Sequence, residues 1–183
     1  MLRLLLAAFM LTSYSVSAQI RPASYVKAAP QAMTAEETRN LSNARRYILE
    51  YLANGDVKVA DEVAAPSLEV VTGLSPKAPI EGLANHKKIF LPFVDALPTK
   101  SMVIEDSFVA GNRVMIQFNC LTTFKKDYLG VKATGRPIRL KETHVMKFNQ
   151  SGKLIQDVVS ATNLEYEMTF APVLAPMILG TKP

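Results

Sequence analysis

The chain has 183 residues, a net charge of +5, 49% hydrophobic residues and a single cysteine, Cys120. That length suits one domain, and one cysteine excludes an intramolecular disulfide framework, so a packed core must carry stability. The basic residues are scattered; the adjacent lysine pairs Lys87-Lys88 and Lys125-Lys126 are not interleaved with aromatics, which argues against a nucleic-acid partner and for solvated faces.

Residues 1–18 have the layout of a secretory signal: Arg3, an apolar run from Leu4 to Leu11, then Val16-Ser17-Ala18 ahead of Gln19. The apolar run is shorter than the roughly 20 residues that span a bilayer. Cleavage near Ala18, export to a periplasmic or extracellular space and no stable membrane insertion are the expectations. Residues 19–33, rich in Ala and Pro, read as a flexible lead-in.

Folding proper is expected from Thr34. Thr34 and Glu37 have the spacing of a capping box, and Leu41, Ala44, Ile48 and Leu52 then recur at helical spacing up to Asn54-Gly55. Asp56 can cap a second helix carrying Val57, Ala60, Val63 and Ala64, ended by Pro66. A short strand near Leu68 to Thr72, a loop through Gly82, and a third helix from about Ala84 to Ala96 follow. Pro92 should kink or divide that helix. Beyond Pro98 the period becomes two, predicting strands at Met102–Val109, Val114–Phe124, Ile138–Phe148 and Leu154–Ala161, with turns at Gly111-Asn112 and Ser151-Gly152. Helices followed by antiparallel strands make an α+β fold with helices on one face of a curved sheet. Its concave side is a natural small-molecule pocket.

Alternation selects the lining. Ile138, Leu140, Met146 and Phe148 share one face of their strand and Arg139, Lys141 and Lys147 the other, so Glu142 and His144 fall on the interior face. Their Cα atoms should lie about 6–7 Å apart, from the rise of a strand, close enough to share a water or ligand. Burial raises a carboxyl pKa and lowers that of an imidazole, while mutual attraction favours both charged forms; general acid/base work is one reading of the pair, a structural ion pair the other. Phe118 and Phe124 are expected as pocket or core walls, and Cys120 as a small buried hydrophobe. In the last strand Leu154, Gln156, Val158 and Ser160 form one register and Ile155, Asp157 and Val159 the other. Both are half apolar, so the facing of Asp157 stays open. His86 is expected to be exposed or capping, and no spacing of His, Cys and carboxylates resembles a metal motif.

The hairpin Gly111-Asn112-Arg113-Val114, the loop residues Leu129-Gly130 and Thr134-Gly135-Arg136, and Gly152-Lys153-Leu154, with a looser match back through Glu81-Gly82 to Leu41, resemble the SnoaL-like, polyketide cyclase-like branch of the NTF2-like superfamily. The resemblance implies a cone-shaped α+β barrel over residues 34–170, with N-terminal helices packed on a curved, mostly antiparallel sheet. It implies a small-molecule pocket, chemistry without a cofactor and, as members are often dimers, a homodimer. Cyclases of this kind use an aspartate near the end of the last strand as acid/base; counting from Gly152-Lys153, Thr162 holds that position here. Where relatives carry a histidine after a Gly-Thr pair this chain has Phe124, and where they carry tryptophan it has Val158.

Two functions are therefore expected from one pocket. As a binding module, the chain would hold a small hydrophobic molecule between Phe118, Phe124, Met146, Gln156 and Val158. As a cofactor-independent lyase, isomerase or hydrolase, it would use His144 to move a proton, Glu142 to orient it, and Thr162 or Gln156 to hydrogen-bond a substrate carbonyl. The Met- and Pro-rich tail, residues 171–183, would cover a dimer face or the pocket mouth, or else form a partly ordered terminus.

Overall fold

The computed structural model describes residues 32–75 and 77–180; the signal segment expected at 1–18 and the lead-in to residue 31 lie outside them. Helix α1 spans Ala35–Arg46. Thr34 Oγ1 accepts from the Glu37 N–H at 3.1 Å while Glu37 Oε2 accepts from the Thr34 N–H at 2.9 Å, the reciprocal capping box the sequence predicts. Glu37 Oε1 also accepts from the Gly111 N–H at 2.9 Å, which ties the start of the helix to a sheet hairpin. Thr34→Ala should therefore lower stability by about 1 kcal/mol, measurable as a shift in the urea midpoint at unchanged slope.

The expected first helix does not stay α-helical to its end. Tyr47–Leu52 is π-helical, with Tyr47, Ile48, Tyr51 and Leu52 all buried. Such segments are rare and recur at functional sites, and this one turns two tyrosines into the core. Helix α2, Val57–Val63, is capped by Asp56 as expected. It ends three residues before Pro66, which lies inside strand β1, Ala64–Val71. A two-residue strand β2, Ile80–Glu81, precedes helix α3, Leu83–Ala96. Pro92 does not divide α3. The carbonyl it deprives of a donor belongs to Lys88, an exposed residue whose backbone water can reach.

Strands β3 (Thr99–Ala110), β4 (Arg113–Thr123), β5 (Pro137–Phe148) and β6 (Leu154–Ala161) match the four predicted. The sheet order is β2-β1-β6-β5-β4-β3, antiparallel except between β1 and β6. The sheet is α+β and cone-like but open, with β2 and β3 as free edges rather than a closed barrel. The core lies between its concave face and the helices, around Tyr47, Tyr51, Leu68, Phe118, Met146 and Phe148.

Helix α4, Leu164–Leu179, was not predicted, because Pro172 and Pro176 break the expected pattern. The carbonyls that lose donors belong to Met168 and Pro172, both exposed, so the helix continues. It continues past residue 170 into the segment expected as a tail.

Candidate functional site

A cavity of about 420 Å³ lies between the sheet, α3 and α4, within the range typical of small-molecule sites. The sheet contributes Phe118, Cys120, Leu140, Glu142, His144, Asp157 and Val159; α3 contributes His86, Phe90 and Phe93; α4 contributes Tyr166, Leu174 and Ala175. Among the described residues no lysine or arginine lines it, and most of its lining is apolar. Glu167 is the one carboxylate of the lining outside the sheet among the described residues.

The acid/imidazole pair lies where alternation puts it. His144 is buried between two carboxylates: Nδ1 is 2.9 and 3.0 Å from the two oxygens of Asp157, and Nε2 is 3.3 Å from Glu142 Oε2. Burial by itself would depress this imidazole, but the charge and hydrogen bond of Asp157, followed by those of Glu142, overturn it and raise the pKa to about 10. At neutral pH the ring is a cation that donates from both nitrogens. Asp157 is 1% exposed at its side chain and Glu142 21%, so the carboxylate of Glu142 is the end of the chain that meets the cavity. Because the two acids sit on opposite ring nitrogens, the three groups cannot converge on one cation, and no metal-holding cluster occurs among the described residues.

Glu142 is in turn held from the loop after β6. Asn163 Nδ2 donates to Glu142 Oε1 at 2.7 Å, and Asn163 Oδ1 accepts from the Lys141 N–H at 2.7 Å. The position implied for a catalytic acid, Thr162, is exposed and outside the lining; its backbone N–H donates to Lys141 O at 2.9 Å. The loop thus delivers Asn163, its neighbour, to the site.

Asp157 faces inward because β6 carries a bulge. Phe148 pairs with Leu154 but Lys147 with Gln156, leaving Ile155 as an extra residue. Leu154 and Asp157 both point in, and the predicted two-residue registers exchange faces between them. Gln156 and Val158 consequently lie on the outer face, a correction to their expected place in the pocket: Gln156 donates to Glu69 at 2.8 Å, and Val158 pairs with Val145 and Val71. Of the other expected lining residues, Phe118 lies in the cavity wall, its ring 5.3 Å from that of His144. Phe124 and Met146 are corrected to core: both are fully buried outside the lining, Phe124 against Phe170 at 5.2 Å. Cys120 is buried and lines the cavity, with burial pushing its thiol up to about 11.

His86 overturns the expectation of an exposed residue. It is 3% exposed, lines the cavity and stacks on Phe90 at 5.3 Å, while its Nδ1 lies 3.0 Å from the Tyr51 hydroxyl. Burial pushes it down to about 4, against the opposing charge of Asp157. Its signal was present in the sequence, as a lone histidine four residues before Phe90 on an apolar helix face, but reading it required knowing that this face turns toward the sheet.

A family model for the SnoaL-like polyketide cyclase matches residues 42–163. The chain belongs to that family. Among solved structures, a proposed SnoaL-like polyketide cyclase from Jannaschia sp. CCS1 is 18% identical, with a TM-score of 0.68 over 76% of this chain and 96% of its own. IdmH, a proposed polyketide cyclase from Streptomyces antibioticus, is 16% identical, with a TM-score of 0.61 over 72% and 98%. An LEH-like epoxide hydrolase from M. tuberculosis is 11% identical, with a TM-score of 0.56 over 80% and 99%. At these identities the likeness establishes the fold of this SnoaL-like chain, not its reaction. No curated protein matches it in sequence.

Proposed function

We propose that this SnoaL-like protein takes a compact, mainly apolar small molecule into the cavity and moves a proton on it without a cofactor. The reading is carried by one observation: the carboxylate, imidazolium and carboxylate of Glu142, His144 and Asp157 form the polar floor of a mainly apolar cavity. The roles differ from those expected from sequence. His144 has both nitrogens engaged, so Glu142 is the group that takes the proton, and the imidazolium stabilises the charge that develops. Isomerisation, ring closure or elimination next to a carbonyl are reactions of this kind.

The test is deuterium exchange. Apolar carbonyl compounds that raise the melting temperature would be incubated with the protein in D2O, and label next to the carbonyl followed by NMR. Exchange that Glu142→Gln abolishes supports the reading; stabilisation without exchange supports the second, a binding module for a hydrophobic ligand, which the absence of Thr162 from the cavity favours. Both require the cavity, so Cys120→Phe, which projects a ring into it, should remove ligand stabilisation. Retained stabilisation in that variant would place binding elsewhere.

Export is proposed from Arg3, the apolar run to Leu11 and Val16-Ser17-Ala18; mass spectrometry of the exported protein should find a chain starting at Gln19. A homodimer is proposed through the outer sheet face. Register aligns Phe108, Met115, Val145, Val158 and Val71 in one row across five strands, with Phe108 58% exposed and polar rows on either side. An apolar stripe of this kind is self-complementary about a two-fold axis, and Phe108→Lys should yield a monomer in light scattering.

A further inference from the structure

The helical wall of the cavity carries a polar device of its own. Tyr51 is fully buried, and its phenol has one hydrogen bond among the described residues, to His86 Nδ1 at 3.0 Å. A buried phenol needs an acceptor for its proton, so Tyr51 donates and Nδ1 accepts. The proton of the neutral ring therefore sits on Nε2. That nitrogen has no protein partner among the described residues. His86 lines the cavity, so with Nδ1 engaged by Tyr51 it is Nε2 that is left to meet a ligand there. The ring cannot easily turn away: it is stacked 5.3 Å from Phe90 at 12° and 6.4 Å from Tyr47 at 29°.

We infer that His86 is a fixed, uncharged hydrogen-bond donor that selects ligands bearing a neutral carbonyl oxygen, which it holds at Nε2–H while the rest of the molecule packs on the apolar walls. The inference rests on reading the cavity as a small-molecule site and narrows its ligand class. Burial keeps the ring neutral, with a pKa near 4. A carboxylate or phosphate would find no lysine or arginine among the described lining residues and would face Glu142, Asp157 and Glu167 instead. A pure hydrocarbon would leave the Nε2–H without an acceptor, a cost that a carbonyl removes. With Glu142 supplied by the sheet and His86 by α3, a carbonyl compound would have a base available at one wall and a donor for its oxygen at the other, the division of labour that proton abstraction next to a carbonyl requires.

The experiment is NMR on the chain from Gln19, with ¹⁵N-labelled histidine and ¹³C-labelled methionine methyls. Three probes of similar shape are compared: cyclohexanone, methylcyclohexane and cyclohexanecarboxylate. In the free protein His86 should be a neutral ring protonated at Nε2. The ketone should move both the Met102 methyl, which reports cavity occupancy, and the His86 Nε2 signal; the hydrocarbon should move Met102 alone, and the carboxylate neither. The ketone should bind roughly threefold to tenfold more tightly than the hydrocarbon, the worth of one net hydrogen bond. Tyr51→Phe should release the tautomer and shrink that preference, and His86→Phe, which keeps the ring stack, should abolish it. A ring protonated at Nδ1, or a ketone that moves Met102 without touching Nε2, would overturn the inference while leaving the small-molecule reading intact. Probes that all leave Met102 unmoved would overturn both.

Discussion

Asp157→Ala should destabilise the protein by about 3–5 kcal/mol, the cost of breaking a buried ion pair on one side. Asp157 contacts His144 through both carboxylate oxygens, and both side chains are almost wholly removed from water. Deleting it leaves the imidazole with one partner, Glu142, at the longer distance of 3.3 Å. The ring must then either remain charged in an apolar surrounding or give up its proton, and each course forfeits stabilisation. Urea denaturation would measure the loss. An effect below about 1 kcal/mol, the range of surface pairs, would mean that the chain of charges does not hold the sheet together.

The same residues set the pH dependence of stability. His144 has a folded pKa of about 10 against an ordinary 6.5. Its contribution is therefore complete below 6.5 and lost as pH rises through about 10, because unfolding in that window releases a proton. His86 has the opposite sign: with a folded pKa of about 4, its contribution is complete above 6.5 and lost as pH falls through about 4, because unfolding takes up a proton. Stability should thus fall on both sides of a maximum near 6.5, the ordinary value shared by the two histidines. Asp157→Ala should flatten the alkaline limb and His86→Phe the acid limb, as read from denaturation midpoints across the range.

Much of this was legible in the sequence for a physical reason: a strand buried on one face writes its orientation into alternate residues. The pattern of β5 put Glu142 and His144 inside without any structural information, and the Thr34 and Asp56 caps placed two helix starts. Legibility failed where the chain departs from a regular period. The extra residue at Ile155 exchanged faces along β6, hiding Asp157 and promoting Gln156 and Val158. Pro172 and Pro176 concealed α4, whose deprived carbonyls face solvent. Tyr47 and Tyr51 fall in the same helical row as Ala44, Ile48 and Leu52 and reach the core with them, but nothing in that spacing marks the turn as π-helical. Phe124 and Met146 were placed on the right side of the sheet but in the packed part of the core, a distinction that alternation cannot make.

Glu142→Gln should lower the rate of proton transfer by roughly 10²–10⁴-fold, the span attributed to one positioned acid/base group, while leaving the fold in place. Glutamine keeps the shape and still offers an oxygen to Asn163, which holds Glu142 Oε1 at 2.7 Å; it removes the negative charge and the capacity to take a proton. The loss should appear in kcat more than in KM, since the apolar walls that bind the ligand are unchanged. The pH profile then separates the two residues that could carry the proton. With Glu142 as base and the His144 imidazolium as electrostatic support, activity should decline as pH rises through about 10, where the ring loses its proton. Were neutral His144 itself the base, activity would climb toward that same pH, and Glu142→Gln, by removing a group that holds the ring protonated, would shift the climb to lower pH instead of abolishing turnover.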